Sequence, residues 1–241
     1  MRYTPSDMNL TNAAALVTGG SSGIGRSIAQ ALIAAGARVA ITGRHQGRLD
    51  QAAQEIGAHP IRADVSREAD AQRSMREALE QLGGLDILVN NAGVGVFKPL
   101  VDTDLATFER TFAIDVTGAM LMAREAARHF IGRQRGNIVN IGSTASHRGA
   151  AGGTAYYGAK FALRGMTECW RAELRKHNIR VFLINPSEVI TSFGAPAGSE
   201  PKANPSKLQP EDIAGVVKAV LEMDDRGFTT ELTIFATNPV D

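Results

Sequence analysis

Tyr156 and Lys160 stand four residues apart in the segment Tyr156-Tyr157-Gly158-Ala159-Lys160. On a helix that spacing puts both side chains on one face. An ammonium beside a phenol favours the phenolate, and a tyrosine so placed can exchange a proton with an alcohol or carbonyl oxygen. Tyr157 is a decoy, because its own partner four residues on is Phe161. Ser143 lies thirteen residues before Tyr156, directly after the apolar run Asn137–Ile141. Its hydroxyl can hold the same oxygen in place while the proton moves. The pair alone is weak; the three residues, with Ser143 at the end of a strand, point to carbonyl or alcohol chemistry.

A second group of residues suits a phosphate. The run Thr18-Gly19-Gly20-Ser21-Ser22-Gly23-Ile24-Gly25 follows the apolar segment Ala13–Thr18 and opens a helical pattern. A strand, a glycine-rich turn and a helix start form an anion cradle from free N–H groups and the helix dipole. The spacing is Gly-x-x-x-Gly-x-Gly. The commoner Gly-x-Gly-x-x-Gly fails because Ile28 fills its last position. Gly20 through Ser27 also approximates a nucleotide-triphosphate loop, with Arg26 where that loop requires lysine. No Asp suited to holding magnesium closes the strand Leu85–Asn90, so that reading is weak. At the end of the second strand stands Thr42-Gly43-Arg44-His45, with no acid before Asp50. An acid there would hold a ribose 2′-hydroxyl, whereas Arg44 can pair with a 2′-phosphate. The sequence therefore favours NADP(H).

The elements that must position these groups alternate regularly. Ala13–Thr18, Arg38–Thr42, Leu85–Asn90, Asn137–Ile141 and Arg180–Asn185 read as buried strands, with weaker candidates at Pro60–Ala63 and Glu231–Phe235. Helical patterns fall near 24–35, 46–56, 67–82, 104–131, 156–176 and 211–222. Alternation of this kind predicts a single doubly wound α/β domain over residues 1–241, Rossmann-type, with about seven parallel strands and helices on both faces. Thr191–Pro210 holds four of the nine prolines and is expected to form a loop over the substrate site.

Composition narrows the function. Of 241 residues, 26 Lys+Arg balance 25 Asp+Glu to a net charge of +1, without the basic excess of a nucleic-acid binder. A single cysteine, Cys169, forms no internal disulfide and anchors no metal cluster. No apolar run reaches membrane-spanning length and the first ten residues lack a signal-peptide core, so a cytoplasmic protein is expected.

In their order along the chain, Thr18–Gly25, Asp64, Asn90-Asn91-Ala92-Gly93, Ser143, Tyr156-x-x-x-Lys160 and Pro186 through Thr191 resemble the short-chain dehydrogenase/reductase family from about Leu10 to Phe235. The likeness is nearest to 3-oxoacyl-[acyl-carrier-protein] reductase-like members. It implies that Tyr156 is the general acid, that Ser143 polarises the carbonyl, and that Lys160 binds the nicotinamide ribose while favouring the Tyr156 phenolate. Gly19, Ser21, Ser22, Gly23, Ile24 and Gly25 would hold the cofactor's phosphates. Asp64 and Val65 would contact adenine, Asn91, Ala92 and Gly93 the adenosine ribose, and Pro186, Val189 and Thr191 the nicotinamide. A dimer or tetramer seamed by the helix near Gly118–Ala127 and the Tyr156 helix is also implied.

Four positions depart from the family pattern. Asp115 stands where a catalytic asparagine is usual, which adds a negative charge near Tyr156 and is expected to alter the pH profile without abolishing activity. Ser187 replaces a usual glycine, Glu188 is unexpected at a cofactor wall, and the last residues, Glu231–Asp241, lack the common Asp-Gly-Gly ending. An acyl carrier protein could dock on Arg128, Arg133 and Arg135, or on Arg171, Arg175 and Lys176. The alternatives are a broad carbonyl/alcohol dehydrogenase of small metabolites and a catalytically impaired NADP-binding regulator.

Overall fold

The computed structural model describes residues 10–194 and 204–237. Strand β1 (Ala14–Val17) shows why the sheet is covered on both faces: all four residues are buried, and successive side chains point to opposite sides. Ala15 and Val17 join one apolar cluster with Ile28, Leu32, Ile41, Phe182, Ile213 and Val217. Ala14 and Leu16 join the other, with Ile61, Met75, Leu82, Leu88, Met122 and Phe130. A strand apolar at every position needs helices on both sides, which is the arrangement of a parallel sheet.

The remaining strands are β2 (Arg38–Gly43), β3 (His59–Arg62), β4 (Ile87–Asn90), β5 (Gly136–Ile141), β6 (Ile179–Pro186) and β7 (Glu231–Ile234). They form one seven-stranded sheet in the order β3-β2-β1-β4-β5-β6-β7, parallel throughout. Both weak strand candidates are therefore real, at the two edges. The order reverses between β1 and β4, and a crevice for a ligand opens at such a switch point outside the strands' carboxyl ends.

The helices are α1 (Gly23–Ala34), α2 (Gln46–Ile56), α3 (Glu68–Leu82), α4 (Leu105–Phe112), α5 (Ala119–Arg133), α6 (Thr154–Leu174) and α7 (Pro210–Leu221). Local chemistry fixes several starts. Asp104 accepts a hydrogen bond from Thr107 N at 2.8 Å and opens α4, and Pro210 takes the first turn of α7, where its missing N–H costs nothing. The one helix expected over 104–131 is instead interrupted by a π-helical stretch at Ala113–Gly118, between α4 and α5. This widened turn holds Ile114, Asp115 and Gly118 buried. Within the expected substrate loop, residues 195–203 lie outside the described residues. Its flanks are held by a parallel bridge between Val189 and Leu208.

Candidate active site

The glycine-rich turn takes the conformation its residue types allow. Gly19 and Gly23 have positive φ, at +65° and +52°, which side chains rarely tolerate. Gly25 is required by contact: a Cβ there would lie 2.3 Å from Asn91 Nδ2 and 2.5 Å from Gly19 O. Ser22 is extended before α1 and makes no capping bond with its side chain, and no acid occupies the first turn. The helix therefore opens on free N–H groups and an uncompensated positive dipole end, beside Ser21 and Ile24. Arg26 turns away and pairs with Glu55 at 2.6 Å, so it does not serve this mouth.

The walls of the crevice come from the ends of neighbouring strands. Asn91, after β4, spends its amide on the turn, donating to Thr18 O at 3.0 Å and Gly19 O at 3.3 Å. Thr18 Oγ1 in turn accepts from the N–H groups of Asn91 and Ala92, both at 3.0 Å. Val65 is buried, and Asp64 accepts from Ser66 N at 3.1 Å and Ser66 Oγ at 2.7 Å. Arg44 is exposed past the end of β2, and among the described residues its guanidinium has no partner. Pro186 closes β6, and Thr191 reaches back over the turn, its Cγ2 standing 3.2 Å from where a Cβ on Gly23 would sit. Glu188 faces away from the crevice chemistry, exposed and paired with Lys207 at 2.7 Å. A cradle of glycines that side chains would fill, free amides and an unpaired guanidinium form a donor set that fits a dinucleotide phosphate.

The Ser143, Tyr156 and Lys160 group sits at the same edge. Lys160 is 5% exposed; its Nζ donates to Ile141 O at 3.1 Å and lies 5.6 Å from the centroid of the Tyr156 ring. Ile141 ends β5, two residues before Ser143, so this hydrogen bond ties the lysine to the strand that leads to the serine. Ser143 Oγ accepts from Ala145 N at 3.1 Å. With a backbone donor already on its oxygen, the hydroxyl proton is free to point at a ligand. The Ser143 N–H is held by Ser146 Oγ at 3.3 Å and by Asn185 Oδ1 at 3.2 Å.

Asp115 enters this group through the widened turn. Its Oδ1 accepts from Val94 N at 2.8 Å, while Oδ2 lies 3.4 Å from Lys160 Nζ and accepts no well-aligned hydrogen bond. Gly93 is bare for the same reason, since a Cβ would come within 2.9 Å of Oδ2. Burial pushes the Asp115 carboxyl above the ordinary carboxylate value, against the pull of Lys160. Burial also penalises the Lys160 ammonium, but the charges of Asp115 and Tyr156 outweigh it and hold the lysine above its usual value. The lysine thus stays cationic at neutral pH.

Three features escape the sequence reading. Asn185 on β6, fully buried, donates to Glu231 Oε1 at 2.9 Å and lies 3.1 Å from His147 Nε2, linking the Ser143 amide to β7. Asn90 and Asn140 join at 3.0 Å, and Asn140 reaches Thr167 Oγ1 at 2.8 Å, fastening β4 and β5 to α6. The signal was present as asparagines inside otherwise apolar strands. The third is aromatic: the Tyr156 ring is edged by Phe97, which the sequence reading missed, and by Phe193, which lies in the loop expected to shape the substrate pocket, each with centroids 5.5 Å away.

The two basic clusters lie elsewhere. Arg128 pairs with Glu125 at 2.9 Å and Arg133 with Asp86 at 3.1 Å. Arg171 donates to Val181 O and Thr230 O at 3.2 and 2.8 Å. At 1.5 Å rise per residue Arg171 stands about 22 Å along α6 from Tyr156, toward the opposite edge of the sheet.

The family model for short chain dehydrogenase matches residues 13–202. The chain belongs to the short-chain dehydrogenase family. L-xylulose reductase of Bos taurus is 35% identical over 244 residues, covering 98% of this chain and 97% of the relative. Among solved structures, an alcohol dehydrogenase from Thermococcus sibiricus complexed with 5-hydroxy-NADP superposes with a TM-score of 0.86 at 28% identity, covering 95% of this chain and 99% of the other. A 3-ketoacyl-(acyl-carrier-protein) reductase from Brucella melitensis complexed with NADH gives 0.84 at 29% identity, covering 95% and 98%.

Proposed function

We propose that this short-chain dehydrogenase reduces a ketone or aldehyde to an alcohol with NADPH. The observation that carries the reading is Lys160, buried between Ile141 O and the Tyr156 ring, a cation held beside the phenol and tied to the strand that leads to Ser143. Family membership supports the same chemistry.

When bound, the cofactor supplies the hydride. The chain's own groups do the rest. Free amides at the start of α1, with Gly19, Gly23 and Gly25 leaving room, receive the phosphates. Arg44 offers a 2′-phosphate a bidentate partner that a hydroxyl cannot use. One structural neighbour carries an NADP derivative and another NADH, so the fold takes either and the residue after β2 makes the choice. Ser143 directs its hydroxyl proton to the carbonyl oxygen, drawing charge onto it. Tyr156 delivers its proton to that oxygen as the alcohol forms, and Lys160 offsets the charge left on the phenolate.

Three finer points follow this reading. The basic clusters stand toward the far edge of the sheet, and Arg128 and Arg133 within them are paired with acids, which does not favour a carrier protein at this site. Phe161 on α6 and Ile131 on α5 remain 45% and 37% exposed, which supports association of copies through these helices. Among the described residues no helix is long and apolar enough to cross a membrane, and the lone Cys169 suits a reducing cytoplasm. The reading is tested by Tyr156→Phe. Carbonyl reduction should fall to background while NADPH binding, followed by its fluorescence, is kept; sustained turnover refutes the acid assignment.

A further inference from the structure

We propose that the carbonyl compound reduced here is a compact, bulky apolar ketone, seated on Phe97 and Phe193 beside Tyr156. The inference rests on the carbonyl-reductase reading and deepens it. Phe97 and Phe193 flank the ring of the proton-donating tyrosine at 5.5 Å each, with interplanar angles of 61° and 56°. Both are nevertheless half in water, 54% and 46% exposed. Large apolar side chains held exposed on both sides of a reacting group mark a ligand wall. Leu100 and Val101, 72% and 91% exposed, extend the apolar surface along the segment that carries Phe97.

The wall is built rather than incidental. Lys98 N donates to Gly152 O at 2.7 Å, which pins the Phe97 segment to the loop leading into α6. Gly95 makes room for the other ring, since a Cβ there would lie 2.5 Å from Phe193 Cε1. A side chain at 95 would push the Phe193 ring aside.

Among the described residues, two of the basic groups nearby are already paired. Lys98 Nζ is held by Asp104 at 2.8 Å, and His147 by Glu231 at 3.0 Å and Asn185 at 3.1 Å. The other charged residues of segments 93–104 and 143–157, Asp102 and Arg148, are exposed. Ser143 and Tyr156 provide for a single oxygen. A polyol would bring several more hydroxyls against phenyl faces, each losing water without gaining a partner. A saturated ring system loses nothing there and covers the exposed halves of both phenylalanines.

Initial rates of NADPH oxidation by the full chain decide between substrate classes. The probes are camphor, as a saturated bicyclic ketone, a free ketopentose, and the N-acetylcysteamine thioester of 3-oxobutanoate. The bicyclic ketone should exceed both others in kcat/KM by about a hundredfold. Phe97→Ala and Phe193→Ala should each lower its kcat/KM by about tenfold, chiefly through KM, and Phe→Leu at either position should restore most of the loss. Preference for the ketopentose or the thioester overturns the inference while leaving the reductase reading intact. So does an alanine variant whose kcat/KM for the bicyclic ketone is unchanged. Failure of all three to support oxidation that depends on Tyr156 refutes the reductase reading, and the inference with it.

Discussion

Replacing Asp115 with asparagine tests the electrostatics of the site with almost no change in shape. Asparagine keeps an oxygen for Val94 N, now at 2.8 Å from Oδ1, and removes only the charge facing Lys160 at 3.4 Å. The side chains of the pair are 0% and 6% exposed, so solvent screens little of the interaction. Two unit charges at this separation attract by about 5 kcal/mol at an effective dielectric of 20, an upper figure for what the substitution removes. The sign follows from the two pKa directions. Lys160 lies above its usual value in the wild type, so its contribution to stability is full below the unfolded lysine value and lost as pH rises through the folded one. In Asp115→Asn only burial acts on the ammonium, together with Tyr156, and the lysine pKa falls. The alkaline limb of kcat/KM should move toward neutrality by about one to two pH units, each unit being about 1.4 kcal/mol. Stability adds a second reading. Asp115 lies above the ordinary carboxylate value, so at acid pH it is protonated, nearly isosteric with asparagine, and the two proteins should melt together. As pH rises through the Asp115 value the wild type should lose ground to the variant, because a carboxyl whose folded pKa is raised costs stability when it ionises, a loss the asparagine does not share. Superimposable pH–rate profiles, or a melting difference between the two proteins that is the same at every pH, would refute the reasoning.

Other expectations concern the cofactor and the serine. Arg44→Asp should weaken NADPH by about tenfold to a hundredfold and improve NADH, because a charge-assisted pair becomes a repulsion; titration of both cofactors by fluorescence checks this, and unchanged selectivity removes Arg44 from the site. Asn185→Ala should lower kcat by about tenfold with the KM for NADPH unchanged, since the Ser143 amide loses one of its two acceptors while the glycine-rich turn is untouched. Equal losses in kcat and in cofactor affinity would make Asn185 a general structural residue. Gly25→Ala should nearly abolish cofactor binding, because its Cβ would stand 2.3 Å from Asn91 Nδ2; retained binding by titration shows that the turn can give way.

Much of the site was legible because it is local. Tyr156 and Lys160 share a face through helical geometry alone, and Ser143 reaches the carboxyl edge because it directly follows an apolar run. The glycine-rich turn announces itself by residue types that only a tight, positive-φ backbone needs, and Arg44 by its place just past the second strand. Composition and alternation likewise sufficed for a parallel sheet covered on both faces, edge strands included.

What the sequence left open depends on distant segments meeting. Asp115 faces Lys160 because a π-helical stretch interrupts an otherwise helical run, and no residue pattern in 104–131 marks that change of pitch. Asn185 holds Ser143 across 42 positions and Glu231 across 46, contacts that exist only because β5, β6 and β7 are neighbours in the sheet. Phe97 and Phe193 flank Tyr156 because two segments nearly a hundred residues apart fold over the same strand ends. The spacing of side chains along one element is set by backbone geometry and can be read from the chain. Their convergence between elements is set by strand order and packing, and the fold alone decides it.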